Sequence, residues 1–279
     1  VAFVLEPYDD AGAVLERAER FLASDPVQHN LVLTLLRGRV ANPEPGRYWV
    51  VAGGGEPGHS GVAGVVLQSP LDFHATLTPM PAGAAVAAAR AIAAGGADLP
   101  GVLGDAATAA RFAGAWTEHR RSAATPVWGQ RIYELAAPPI VPGGVPGGLR
   151  RAAPADRDLV LAWNDAFSVE IGDCLVRPEL VDRRLAAGHL WLWEQDGPVS
   201  LAGHAPPAAG VVRIGPVYTP PDHRRRGYAA ACVAAVSGAH LVAGARCILY
   251  ADLANPVSNS VYRRIGYRAV AEILRYRFG

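Results

Sequence analysis

Read for the period of its apolar positions, the second half of the chain alternates between strand-like and helix-like segments. A short strand is expected at Leu149 to Ala152, and a helix from about Ala155 to Val169, where Leu159, Val160, Trp163 and Phe167 share one face. A second helix is expected over Pro178 to Ala187. His189 to Glu194 alternates as a strand with Trp191 and Trp193 on one side, and Asp196-Gly197 signals a hairpin into Ser200 to Ala205. A strand over Val211 to Tyr218 then precedes a helix from about Arg226 to Ala243, whose inner stripe is Ala230, Val233, Ala234, Ser237 and Leu241. After a strand at Cys247 to Ala251, Asn255-Pro256 reads as the N-cap and first residue of a helix that stops at Gly266, with Val257, Val261 and Ile265 as its buried side. Tyr267 to Phe278 completes the half as a last strand or strand pair.

The first half carries the same rhythm. Strands are expected at Ala2 to Glu6, Tyr48 to Val51, Val62 to Leu67, Ala75 to Leu77, Val102-Leu103 and Arg131 to Leu135, and helices at Ala13 to Leu22, His29 to Arg37, Ala82 to Ala94 and Ala106 to His119. The shared order suggests an internal duplication. Between the halves, Ala136 to Gly148 is rich in proline and glycine and can neither run as a helix nor pair as a central strand. The division expected is therefore residues 1–136, a linker at 137–148, and residues 149–279.

Composition narrows the class. With 279 residues, 51% hydrophobic and 18% charged, the chain has apolar material for two cores and is not a disordered protein. The 26 basic residues, none of them lysine, are offset by 25 acidic ones, for a net charge of +1. That balance argues against a nucleic-acid partner. Cys174, Cys232 and Cys247 form no C-x-x-C pair, so neither a disulfide framework nor a zinc site is suggested, and no metal is expected. No apolar run approaches the ~20 residues of a membrane span, and no basic segment leads into an apolar one near the start. A cytoplasmic location without membrane contact is the expectation.

The stretch most suggestive of chemistry runs from Val217 to Ala230, where an apolar strand breaks at Pro220-Pro221 and turns basic and small as a helix begins. Gly227 and Ala229 leave the backbone uncovered, so the free N–H groups of the helix's first turn face outward toward an anion. A pyrophosphate would fit there. Arg224, Arg225 and Arg226 alone would more often be a solvated cluster or a nucleic-acid patch, but their place between strand and glycine favours phosphate. Gly53-x-Gly55-x-x-Gly58 formally matches a dinucleotide fingerprint, yet Pro57 interrupts it and a strand follows, so a hairpin loop is expected. The eight histidines show no paired spacing, Cys232 falls on the inner side of a helix, and no G-x-S-x-G or Walker lysine occurs.

Two separated motifs make the second half similar to the GNAT superfamily of acyl-CoA-dependent N-acetyltransferases. Arg224, Gly227 and Ala229 match that family's pyrophosphate loop, Arg/Gln-x-x-Gly-x-Gly/Ala, and Asn255, Ser258, Asn259, Tyr262, Gly266 and Tyr267 resemble its helix beside the CoA thiol. The resemblance implies an α/β (α+β) fold of two GNAT-like domains, each a mixed, mostly antiparallel sheet flanked by helices. The first would be a degenerate copy, because Leu77-Thr78-Pro79-Met80-Pro81 stands at the junction where the loop belongs. A glycine-acyltransferase-like branch of the superfamily has such pairs.

For the site, the resemblance implies acetyl-CoA as cosubstrate. Its contacts would come from Val217, Tyr218 and Thr219 along the pantetheine, from Arg224, Arg225, Arg226, Gly227, Tyr228, Ala229 and Ala230 at the pyrophosphate, and from Asn255, Asn259 and Tyr262 near the thiol. Tyr262 would protonate the departing thiolate. The family often uses a carboxylate on its central strands as base, but Val211 to Thr219 holds none, which leaves Glu170, Asp173, Glu194 and His204 as candidates. His204 alone is more often structural. The implied acceptor is a small-molecule amine or a peptide N-terminal or side-chain amine, and the protein a monomer or homodimer. A non-catalytic acyl-CoA-binding regulator is the alternative, and a nucleic-acid contact by the basic loop a weaker one.

Overall fold

A computed structural model describes residues 2–53, 61–172 and 176–279. They divide into two compact units, one of Val1–Ile132, Asp252–Ala254 and Val270–Gly279, the other of Tyr133–Ala251 and Asn255–Ala269. The first half of the chain runs β1 (Val4–Tyr8), α1 (Ala11–Ser24), α2 (Asn30–Ala41), β2 (Arg47–Ala52), β3 (Val62–Gln68), β4 (Ala75–Leu77), α3 (Ala82–Ala94), β5 (Gly101–Asp105), α4 (Ala106–Arg120) and β6 (Ala124–Leu135). The second half repeats that order as β7 (Gly148–Arg151), α5 (Arg157–Ile171), α6 (Pro178–Ala186), β8 (Leu190–Glu194), β9 (Pro198–His204), β10 (Val211–Tyr218), α7 (Tyr228–Val242), β11 (Arg246–Asp252), α8 (Pro256–Arg264) and β12 (Tyr267–Phe278). Each unit is a mixed α/β structure with a mostly antiparallel sheet flanked by helices, as expected.

In the first unit β1, β2, β3 and β4 pair antiparallel in order, and β4 meets β5 parallel. Its next strand is not β6. Ile273–Arg277 of β12 pairs antiparallel with Gly101–Asp105 of β5. In the second unit the order is β7, β8, β9, β10, β11, followed by β6. The two units do not follow the contiguous boundary expected from the linker: the last strand of each half is counted in part with the other unit. A strand's hydrophobic pattern fixes which face it buries and leaves open which strand it pairs with.

Local chemistry accounts for the helices. Asp10 caps α1 by accepting from Ala13 N at 2.9 Å, and Val14, Ala18 and Leu22 recur at helical spacing as its buried face. The second unit's main core gathers Tyr133 and Leu135 of β6, Val212 and Ile214 of β10, Cys247, Leu249 and Ala251 of β11, the buried face of α7, and Tyr262 and Tyr267. The Pro/Gly-rich segment after β6 has no helix or strand through residue 147, yet it is fastened to this unit: Ile140 N donates to Ile265 O at 3.0 Å, and Trp193 Nε1 to Pro146 O at 2.9 Å. The strands on either side of Gly55, Pro57 and Gly58 pair as a hairpin, but that loop itself lies outside the described residues. No helix among the described residues is long and apolar enough to cross a membrane.

Candidate active site

Strand β10 and its parallel neighbour β11 are paired only from Val211–Arg246 to Ile214–Leu249. Beyond that point β10 continues to Tyr218 and β11 to Asp252 without pairing to each other, so the two strands part. The opposite edge of β10 stays joined to β9, with Val217 opposite Ala202 and Tyr218 opposite Leu201 after a bulge. Past Ile214, therefore, the β11-side edge of β10 is open to an added extended chain. The Ser200 hydroxyl donates to the Tyr218 carbonyl at 3.1 Å, which makes the Thr219 hydroxyl the donor in its 2.8 Å contact with Ser200 Oγ. The strand end is held from one side only.

From Thr219 the chain makes a single turn at Pro221–His223 and reaches Gly227, which caps α7 with φ of 84°. Arg225 also has positive φ, at 62°, so the backbone alternates in hand across Arg225 to Gly227. Such alternation turns successive N–H groups toward one point and forms an anion-binding concavity. The first turn of α7 has no side-chain cap and no acidic residue, so its donors and its positive dipole end are not satisfied from within. Gly227 answers two demands, the left-handed backbone and close approach: a β-carbon there would stand 2.8 Å from Val145 Cγ2.

The three arginines do different things. Arg224 folds back, donating from Nε to Thr219 O at 2.8 Å, pairing with Glu170 and lying over the Tyr218 ring. It braces the loop. Arg225 and Arg226 are exposed and, among the described residues, make no hydrogen bond or ion pair, which leaves two free guanidinium groups at the mouth of α7. The Tyr228 ring is buried with its hydroxyl on Gln195, so only its backbone can face a ligand, while Ala229 and Ala230 are half-buried small residues of the same turn.

Helix α8 departs from expectation at one of three positions: Ile265 is buried and Val261 packs against the core as expected, but Val257 is 69% exposed, and Asn259 and Tyr262 are buried as well. Asn255 is the N-cap, accepting from Ser258 N at 3.0 Å. Asn259 Oδ1 accepts from Tyr133 at 2.8 Å while its Nδ2 donates to Asn255 O at 2.7 Å, so both ends of this amide are engaged inside the protein. Burying an amide requires such partners, and they let Asn259 share the buried side with Ile265 while Val257 turns out. The Tyr262 hydroxyl has no hydrogen-bond partner among the described residues. Burial pushes its pKa up to about 12, so it is protonated at neutral pH. Its ring packs in the same apolar cluster as Val217 and Ala251, the residues of the parting strand ends.

The candidate bases do not converge on this site. Glu170 is the ion-pair partner of Arg224, and Glu194 that of Arg150. His204 pairs with Ile214, toward the end of β9 remote from Leu201 and Tyr218, and its buried ring lies 4.5 Å from that of His189 and 4.4 Å from that of His240. Burial pushes its pKa down to about 4, while Nδ1 donates to Ala205 O at 3.0 Å. His204 is thus a packed histidine at the wrong end of the strand. Asp173 and Cys174 lie outside the described residues. The thiols of Cys232 and Cys247 are buried, with pKa values pushed up to about 12 and about 11, which removes them as nucleophiles at neutral pH. Sequence reasoning missed Tyr133 and Ser200. Neither belongs to a motif, and Tyr133 stands on β6, the last strand of the first half.

Residues 202–276 match the family model described as FR47-like protein, which spans β10, the loop, α7, β11 and α8. Among solved structures, a GCN5-related N-acetyltransferase from Sphaerobacter thermophilus aligns with a TM-score of 0.65 at 18% identity, covering 99% of this chain and 95% of that one. The chain has the fold of these acetyltransferase structures. A GNAT-family acetyltransferase from Colwellia psychrerythraea aligns at 0.61 and 10% identity over 99% of this chain and all 100% of its own, and a Drosophila protein at 0.65 and 14% over 100% and 99%. No curated protein matches the chain. With identities this low, what the chain shares with these GNAT structures is the fold.

Proposed function

We propose that the second unit transfers the acetyl group of acetyl-CoA to a primary amine by direct attack. The observation that carries this reading is the uncapped N-terminus of α7, with its alternating-hand loop, placed directly after the open edge of β10. The loop N–H groups with Arg225 and Arg226 suit a pyrophosphate, and the free backbone of Val217 to Thr219 suits the amides of a pantetheine arm. CoA supplies a thioester, an acyl donor with a good leaving group. A backbone N–H near Tyr218 would polarise the thioester carbonyl; as the C–N bond forms and the C–S bond breaks, the Tyr262 hydroxyl would give its proton to the thiolate and water would take the proton the amine loses. Asn255 and Asn259 hold α8 in place rather than touching the ligand.

A second reading keeps the same pocket without turnover, as an acyl-CoA-binding regulator. The engagement of Glu170 and Glu194 in ion pairs and the remote burial of His204 favour it. The two part cleanly when the protein is given acetyl-CoA and a panel of amines and free thiol is followed. Thiol release above the amine-free background establishes transfer, and tight CoA binding by calorimetry without such release establishes the regulator.

A further inference from the structure

The first unit holds a cavity of about 260 Å3 that shares no residue with the candidate active site. Its wall comes from Asp9, Asp10 and the first turn of α1, from Arg39, Val40, Pro43 and Glu44 at the end of α2, and from Tyr48 of β2. Three carboxylates thus face one guanidinium, and that guanidinium is spent on the fold. Arg39 pairs with Glu44 at 3.2 Å and donates from Nε to Ser69 Oγ at 2.6 Å and from Nη2 to Ser69 O at 3.2 Å. Asp10 is committed as well, accepting from Ala13 N at the start of α1. Asp9 is exposed and, among the described residues, makes no hydrogen bond or ion pair.

Tyr48 is only 3% exposed, yet its hydroxyl has no hydrogen-bond partner among the described residues. That hydroxyl stands on the side of Arg39: a β-carbon at Gly46 would lie 2.7 Å from it and 2.8 Å from the β-carbon of Ser69, the residue that holds Arg39. Buried polar groups are bonded with few exceptions, so this phenol fits a partner that enters from the cavity. The sign of the partner's charge follows from the surroundings. Helix α2 ends here with its negative dipole end, and the positive end of α1 is capped by Asp10. A bare divalent ion is a poor match, because it needs about six oxygens and those of Asp10 and Glu44 are engaged. No metal-binding cluster occurs among the described residues. The apolar side of the wall, Ala11, Val40 and Pro43, suits a short carbon chain that carries the charge.

We infer that this cavity binds a small primary amine, whose ammonium donates to the Asp9 carboxylate and to the Tyr48 hydroxyl oxygen while its carbon chain lies on Val40 and Pro43. The site belongs to the first unit and does not rest on the acyl-transfer reading.

Calorimetry on the full chain without acyl-CoA tests it, with putrescine as the probe and butanediol as its uncharged match. Putrescine should bind saturably and the diol at least ~10-fold more weakly, since a hydrogen bond to a charged group is worth about that much. Asp9→Asn, at an exposed position, should weaken putrescine by about 10- to 100-fold and Tyr48→Phe by about 10-fold. Val40→Trp, also at an exposed position, fills the cavity without altering either polar partner and should abolish binding even where Tyr48→Phe disturbs the core. Glu118→Gln removes an exposed carboxylate elsewhere in the unit and should change nothing. Putrescine that fails to bind, or a diol that binds equally well, overturns the inference. Binding that ignores Asp9→Asn or Val40→Trp puts the amine elsewhere and overturns it too. If Glu118→Gln weakens putrescine as much as Asp9→Asn does, the attraction is general surface charge and there is no site.

Discussion

The two halves share an element order and differ at the junction that follows the fourth strand. In the first, Pro79 and Pro81, which have no N–H to offer, flank Met80, whose N donates to Thr108 Oγ1 at 3.2 Å. Helices α3 and α7 both lack a side-chain cap. In the second, a longer segment brings two left-handed residues, Arg225 and Gly227, to the start of α7 and leaves the N–H groups ahead of the helix unspent on the fold. The contrast continues one helix later. Asp105 caps α4 as Asn255 caps α8, yet the buried aromatic standing from Asp105 as Tyr262 stands from Asn255 is Phe112, which has no hydroxyl. The loop and the phenol on which the proposed function rests are thus present in one half and absent from the other through changes at a few positions.

The comparison predicts one CoA per chain, bound at the second junction. Gly227→Glu adds a negative charge and a side chain to a left-handed position at the cradle, and should abolish CoA binding in calorimetry while circular dichroism stays native. Pro81→Ala at the first junction should leave CoA affinity unaltered. A stoichiometry of two, or CoA affinity surviving Gly227→Glu, breaks the contrast.

Making the second half resemble the first at α8 is the next largest change. Tyr262→Phe should lower kcat by roughly 10²-fold with little movement in the KM for acetyl-CoA, as expected for a general acid. With the Tyr262 pKa near 12, the wild-type rate should show no alkaline fall from this group below about pH 11. A rise in KM at constant kcat would make Tyr262 a binding residue.

The smallest effect separates the halves by acid. His204 is held near 4 against the ordinary 6.5, and His189 and His240 are also lowered, each mainly by burial. Between pH 6.5 and 4 the unfolded chain binds more protons than the native one, so stability is complete above that window and drains as pH falls through it, by at most about 3 kcal/mol for His204. In the first half His29 is lowered as well, but the nearby Asp25 opposes the shift. Hydrogen exchange on acidification should therefore loosen β9 and α7 before α1 and α2, and His204→Gln should narrow the gap. Simultaneous loosening would remove the distinction.

Much of this was legible in the residues. Apolar period and glycine–proline punctuation place α3 at Ala82–Ala94, β10 at Val211–Tyr218 and the Asn255 cap as the structure has them. The open loop could be read because a helix start without a capping side chain is a local property. What escaped reading depends on partners distant in sequence. The choice of β12 for β5, the amide partners that turn Asn259 inward, and the pairing of Glu170 with Arg224 all join residues that no local period connects. The exposed Val257 shows the same limit, since a helix with two apolar-looking faces is settled by what its polar residues find inside.

The assignment of β6 has a further consequence for modularity. Tyr133 and Leu135 lie in the core of the unit that carries α7 and its loop, while the segment after Val270 lies in the other. A gene trimmed to the chemically equipped half would encode a core with a missing wall and a tail with no sheet to join. The first half, though it lacks the loop and the phenol, is therefore not free to be discarded, and a mutation that unfolds it should register as a loss of the proposed activity without touching a residue of α7, its loop or α8.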